Sequence, residues 1–258
     1  MKRKISLIIK FIAILSSVYG MLQSLDHWMF FTYFTNLSNI FIDLCLLIFL
    51  IYDLKKIKYI SQGMYLIKFM GTISITLTFF VYLLLLAPTN SHGFIGAYLS
   101  DGAGSLCVHF ITPVLAIIDF IFFSEKYLPE KRHVFYSVIP PLVYVGYVII
   151  LGQVFGVRWY GDMLAPYNFL NYGASTGWFG FDLSLLGSKT LGIGTFYMIV
   201  VLLIIFIGLG KLFLKERFLL IKDIYLKNCN NLGIDHLLQF FCYDSQALKN
   251  YFYNMKMN

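Results

Sequence analysis

Tyr33-Phe34-Thr35-Asn36-Leu37-Ser38-Asn39, continuing through Ile40-Phe41-Ile42 to Asp43, heads an apolar run long enough to cross a membrane. On a helix, Thr35, Ser38, Asn39 and Asp43 stand at i, i+3, i+4 and i+8 and share one face. In hydrocarbon each of these groups costs free energy unless it finds a partner. The stripe must therefore point into a bundle of helices, and other parts of the chain must supply what it bonds to.

The bulk composition agrees. The chain has 258 residues, 59% hydrophobic and 13% charged, where a soluble domain carries about 25% charged residues. Its mean hydropathy is +0.75. Several windows of roughly 18 or more apolar residues define the fold class as all-α, a polytopic integral membrane protein with six transmembrane helices in one bundle. The spans are expected at about 5–22, 29–52, 65–87, 103–123, 134–151 and 190–210. Residues 1–210 then form one transmembrane domain, and 211–258 a basic cytoplasmic tail, interfacial or disordered.

The net charge of +7 is a topology signal and not a nucleic-acid footprint, because the basic residues sit in short segments between spans. One set of segments holds Lys2, Arg3, Lys4, Lys55, Lys56, Lys58, Lys68, Lys126, Lys131, Arg132, Lys211, Lys215, Arg217, Lys222 and Lys227, and the opposite set only Arg158 and Lys189. The positive-inside rule places both termini in the cytoplasm and the protein in the cytoplasmic (plasma) membrane. Lys10 is expected to snorkel back to the basic end. Thr72, Ser74, Thr76, Thr78 and Tyr82 on the third span read first as packing hydroxyls and second as lining for a site. The connection 152–189 carries Trp159, Tyr160, Tyr167, Trp178 and Phe179, which suit an interfacial belt or a cap over the bundle mouth.

A second polar stripe runs along the fourth span: Asp101, Ser105, His109, Thr112 and Asp119. Pro113 bends this helix and frees a carbonyl one turn earlier, at His109. The second and fourth spans run in the same direction. Thr35 and His109 each lie about six residues in, roughly 9 Å below the outer boundary. A Thr hydroxyl beside a neutral His forms a nucleophile with its general base. Asn36, Ser38, Asn39, Ser105 and Thr112 are candidates to line the substrate or steady an oxyanion. Asp101 is better placed than Asp119 to orient His109, since Asp119 lies about 15 Å further along the helix.

Other readings of the same residues stand beside this one. A buried His and a Thr at a helix start also serve as inter-helix hydrogen bonds, in a non-catalytic protein that binds lipid or a partner in the same cavity. The buried carboxylates Asp43 and Asp119 also read as an ion or proton relay of a small transporter. No metal or cofactor is expected. His236 between Cys229 and Cys242 fits no ligand spacing, and no second His lies within a span to ligate haem.

Four blocks carry a resemblance: Tyr33-Phe34-Thr35-Asn36-Leu37-Ser38-Asn39, Val81-Tyr82-Leu83-Leu84-Leu85-Leu86-Ala87-Pro88, His109-Phe110-Ile111-Thr112-Pro113 with Asp119, and Tyr167-Asn168-Phe169-Leu170. In order and spacing, over about residues 5–210, they resemble the androgen-induced-gene family of six-span membrane proteins, in its bacterial branch. The family's characterised animal members are threonine hydrolases of fatty acid esters of hydroxy fatty acids. Their essential Thr matches Thr35 and their essential His matches His109. The resemblance thus implies an intramembrane hydrolase with a small-molecule lipid ester as substrate, membrane lipid as its surroundings, and neither metal nor cofactor.

Overall fold

The computed structural model describes residues 2–25, 27–57, 59–100, 102–124, 127–159, 162–167, 170–171 and 193–231, with side chains of the last helix given over 199–221. Among these residues every regular element is helical. Helix α1 is Lys2–Leu22. A 3-10 turn, Trp28–Thr32, leads into α2, Phe34–Leu54. Helix α3, Gln62–Val81, is capped by the Ser61 hydroxyl, which accepts from the Met64 N–H at 3.3 Å. It continues through a π turn, Tyr82–Leu86. The loop after it holds a short α4, Gly93–Leu99. Helix α5 is Gly104–Phe123 and α6 is Lys131–Gln153. The last, α7, is Ile193–Asn231. Five of these, α1, α2, α3 extended to Leu84, α5 and α6, are long and apolar enough to cross a membrane, as a helical membrane protein requires.

Along α1 burial is inverted relative to a helix of a soluble bundle. The buried residues of α1 are Ser6, Lys10, Ala13, Ser17 and Gly20, while Ile8, Phe11, Leu15 and Leu22 are exposed. An apolar exterior around a polar seam is stable only where the solvent is itself apolar. Small residues on the seam let helices approach closely. A Cβ built on Gly20 would lie 2.7 Å from the Gly104 carbonyl oxygen, so only glycine fits where α1 crosses α5. Helix α3 is the centre of the bundle, with Gly71 through Thr78 all buried. Its hydroxyls are satisfied locally: Thr72, Ser74 and Thr76 donate to the carbonyls of Lys68, Met70 and Thr72 at 2.7–2.9 Å.

Boundaries shift where local chemistry favours it. Helix α6 begins three residues before the expected Val134, as a 3-10 segment. It becomes α-helical at Ile139, with Pro140 and Pro141 in the first turn where a missing N–H costs nothing. Helix α7 does not stop near Gly210 but runs on to Asn231. The residues after Gly210, Lys-Leu-Phe-Leu-Lys-Glu-Arg, include no breaker. The start expected for the sixth span, near 190, lies outside the described residues, as do 232–258.

Lys10 and Lys68 depart furthest from expectation. Neither reaches solvent; they are 1% and 0% exposed. Their ammonium groups flank the carboxylate of Asp119, Lys10 at 2.8 Å from Oδ1 and Lys68 against Oδ2. Lys10 also meets Asp53 Oδ2 at 2.9 Å, and Ser6 Oγ donates to Asp119 at 3.2 Å. Lys68 donates to Ser124 Oγ at 2.9 Å. Buried Arg217 of α7 donates to the carbonyls of Ile121 and Ser124, the open end of α5. An ammonium beside a buried carboxylate has no need of water, so Lys10 pairs with Asp119 in place of snorkelling.

Asp119→Asn in purified protein leaves two buried ammoniums without their shared carboxylate. It should cost roughly 3–5 kcal/mol of stability in detergent unfolding. Asp53→Asn, whose side chain is 30% exposed, should cost about 1 kcal/mol or less.

Candidate functional site

The end of the bundle opposite the Lys–Asp cluster holds a pocket with a cavity volume of about 60 Å³. The head of α2 supplies Phe34 and Thr35, and α3 with its π turn supplies Leu77, Thr78, Val81, Tyr82 and Leu86. His109 comes from α5, Pro141, Tyr144 and Val145 from α6, and Leu202 and Phe206 from α7. Tyr167 and Leu170 close it from the long connection. No lining residue carries a formal charge at neutral pH apart from what His109 can take up. Apart from the Thr35 and Thr78 hydroxyls and the tyrosine tips, the walls are hydrocarbon and aromatic.

Prolines set the local geometry. Cys107–Ile111 on α5 is a π turn, and Pro113 follows it by two positions. Tyr82–Leu86 is a second π turn, and Pro88 follows it by two positions. Proline offers no N–H and crowds the carbonyl four residues back, so the preceding turn widens. On α5 the Thr112 N–H reaches back to the Cys107 carbonyl. The Val108 carbonyl thereby loses the donor that an α-helix would give it, in addition to the loss at His109. Asn39 fills the gap: its Nδ2 donates to the Val108 carbonyl at 3.3 Å and to the Thr35 carbonyl at 2.9 Å. Its Oδ1 accepts from Ser17 at 3.2 Å. One asparagine thus ties the turn bearing Thr35 to the turn bearing His109.

The π turns bring Tyr82 and His109 face to face, ring centroids 3.7 Å apart and 12° from parallel. The Tyr82 hydroxyl donates to the Ala97 carbonyl and lies 2.7 Å from Ser105 Oγ. The imidazole is half-buried, and its Nδ1 has no hydrogen-bond partner. Thr35 is also half-buried. No hydrogen bond joins Thr35 to His109 among the described residues; the two open onto the same space.

None of the other expected residues of α2 and α5 that are described is among the residues lining the pocket, and several of them bond to neighbouring segments. Asn36 donates to the Phe30 carbonyl at 2.9 Å. Ser38 bonds the Thr35 carbonyl and Thr78 Oγ1, each at 2.9 Å, and Thr112 bonds the Ala13 carbonyl at 3.4 Å. Asp119 belongs to the lysine cluster. Both carboxylate oxygens of Asp43 are buried without a hydrogen-bond partner. Asp101 lies outside the described residues, as do Tyr160, Trp178 and Phe179.

Of the described residues of the long connection, Tyr167 and Leu170 line the pocket. Trp159 is buried and its indole N–H donates to Thr32 Oγ1 at 3.0 Å. Tyr144 of α6 donates to the Thr32 carbonyl at 2.9 Å. Tyr167 meets Thr35 directly: the Thr35 N–H donates to its phenolic oxygen at 3.4 Å. Burial pushes the Tyr167 phenol pKa up, and hydrogen bonds with Thr35 draw it back. Thr78 and Tyr82 line the pocket, the second of the two roles their pattern allowed, and Tyr167 lines it from the connection; Tyr144 carried no signal in the sequence. An aromatic at a span end reads equally as a membrane-interface anchor.

Protein-family models, curated proteins and solved structures contain no match to this chain.

Asn39→Ala should leave the Val108 carbonyl without a donor and cost about 1–3 kcal/mol. Amide hydrogen exchange should quicken at 107–112 and stay slow in the centre of α3. Unchanged exchange at 107–112 would show that Asn39 does not brace the turn.

Proposed function

We propose that this protein is a six-span membrane hydrolase in which Thr35 attacks a lipid ester and His109 is the general base. The observation that carries the reading is the shared pocket: Thr35 and His109, from helices far apart in sequence, line one largely apolar pocket. The resemblance to the androgen-induced-gene family selects the same two residues.

The chemistry follows from the surroundings. An apolar wall accepts acyl chain, and the few polar groups define where the ester must sit. His109, neutral among aromatic rings, takes the Thr35 hydroxyl proton as Oγ bonds to the carbonyl carbon. It returns that proton to the departing alcohol. Water then cleaves the acyl-threonine by the same exchange in reverse. The Tyr82 ring fixes the imidazole plane, and Asn39 fixes the distance between the two turns.

In this reading the sixth span is the first part of α7, and both termini are cytoplasmic. A cysteine at Ser91 should then react with an impermeant maleimide in intact cells, and a cysteine at Lys131 only after lysis. The opposite pattern would invert the topology.

A fluorophosphonate probe should label wild-type protein, and Thr35→Ala and His109→Ala should each lower labelling by at least about 10²-fold with unchanged thermal stability. Equal labelling of Thr35→Ala would remove Thr35 as nucleophile. A second reading, a lipid-binding protein without catalysis, draws on the same apolar wall and on the absence of a Thr35–His109 hydrogen bond among the described residues. It predicts saturable binding of a fluorescent fatty acid with no labelling at all.

A further inference from the structure

The first N–H groups of a helix have no acceptor within it and carry partial positive charge. Thr35 is the second residue of α2, so its N–H is one of these. It is not left open. The phenolic oxygen of Tyr167 takes it at 3.4 Å. Tyr167 comes from the far connection and is held by rings. It packs edge-on against Tyr33 at 5.9 Å and tilted against Tyr144 at 6.4 Å. Its ring lines the pocket. Three aromatic rings thus fix one hydroxyl at the positive end of α2, in contact with the residue assigned as nucleophile.

We propose, resting on the hydrolase reading above, that Tyr167 is a further catalytic residue whose hydroxyl donates a hydrogen bond to the oxyanion formed when Thr35 attacks. As the Thr35 Oγ–C bond forms, the carbonyl π pair moves onto its oxygen and the hydroxyl proton moves to His109. That oxygen lies one bond from the carbon attached to Thr35, beside the Tyr167 hydroxyl that the Thr35 N–H holds in place. No proton leaves Tyr167. When the tetrahedral adduct collapses, the pair returns to the C=O bond, the alcohol departs with the His109 proton, and the phenol keeps its own. A phenol that accepts an N–H bond is a stronger donor for it, because bonds in a chain polarise one another.

The test is steady-state hydrolysis of p-nitrophenyl decanoate by the full-length protein in detergent, over a range of pH. Tyr167→Phe should lower kcat roughly 10²–10³-fold with KM little changed. Tyr147→Phe removes a hydroxyl that bonds the Phe31 carbonyl outside the pocket and should leave kcat as it is. Replacing Tyr167 with 3,5-difluorotyrosine keeps the ring's packing and the donor but makes the phenol ionise at lower pH. It should retain activity near neutrality and move the alkaline limb of kcat to lower pH, a change that a packing role cannot produce. Wild type active with Thr35 dependence, but no kcat loss in Tyr167→Phe or an unmoved alkaline limb, overturns the role of Tyr167 alone. Wild type no faster than Thr35→Ala overturns the hydrolase reading and this proposal with it. If Tyr167→Phe fails to fold, the fluorinated protein decides by itself.

Discussion

The carboxylate of Asp119, shared by two buried ammoniums, is the contact on which the bundle depends. It joins α1, α3 and α5 at one point, and Asp53 brings in the end of α2. Arg217 brings α7 to the same end. Hydrocarbon supplies no hydrophobic drive between helices, so packing and polar pairing must hold them together. Pairing is also directional. Two helices can slide past each other over Leu and Ile, but one carboxylate cannot accept from Lys10 and Lys68 in more than one register. The pocket sits at the other end of the same helices, so its side chains inherit the alignment set there.

The helical class was legible because length and hydropathy decide it. Five apolar helices appear where the sequence places spans. The polar face of α2 was legible as well: Ser38, Asn39 and Asp43 are buried as their spacing requires. What each polar group bonds to was not legible. Asn39 was one of several candidates for oxyanion work. Its actual partner, the Val108 carbonyl, exists only because Pro113 widens the preceding turn. The lysines were misread for a related reason. A Lys in an apolar run is costly if unpaired, and the run does not reveal an acceptor on a helix elsewhere in the chain. Three ionisable residues inside apolar runs, Lys10, Lys68 and Asp119, were the available signal, since each alone would be unfavourable.

The candidate site is aromatic where the sequence reading was polar. Serines and asparagines drew attention as hydrogen-bonding groups, yet those of α2 and α5 spend their bonds on neighbouring helices. Tyrosines form the wall instead, presenting ring faces to the pocket and hydroxyls to backbone carbonyls. A tyrosine is suited to this because it is apolar over its body and polar at one tip. The same property makes its role ambiguous in sequence, where an interfacial anchor and a site wall have one spelling.

The π turn on α5 changes how the polar stripe of that helix must be understood. One additional residue in a turn rotates everything before it by about 100° relative to everything after it. Ser105 and Asp119 were placed on one face by counting in steps of an ideal helix, but they lie on opposite sides of the widened turn and serve different partners. His109 faces the pocket by virtue of that rotation. A chain shortened by a single residue between Cys107 and Ile111 would make a more regular helix, keep every residue type quoted for this site, and turn its imidazole toward another neighbour. Phase along the helix, as much as identity, specifies the site.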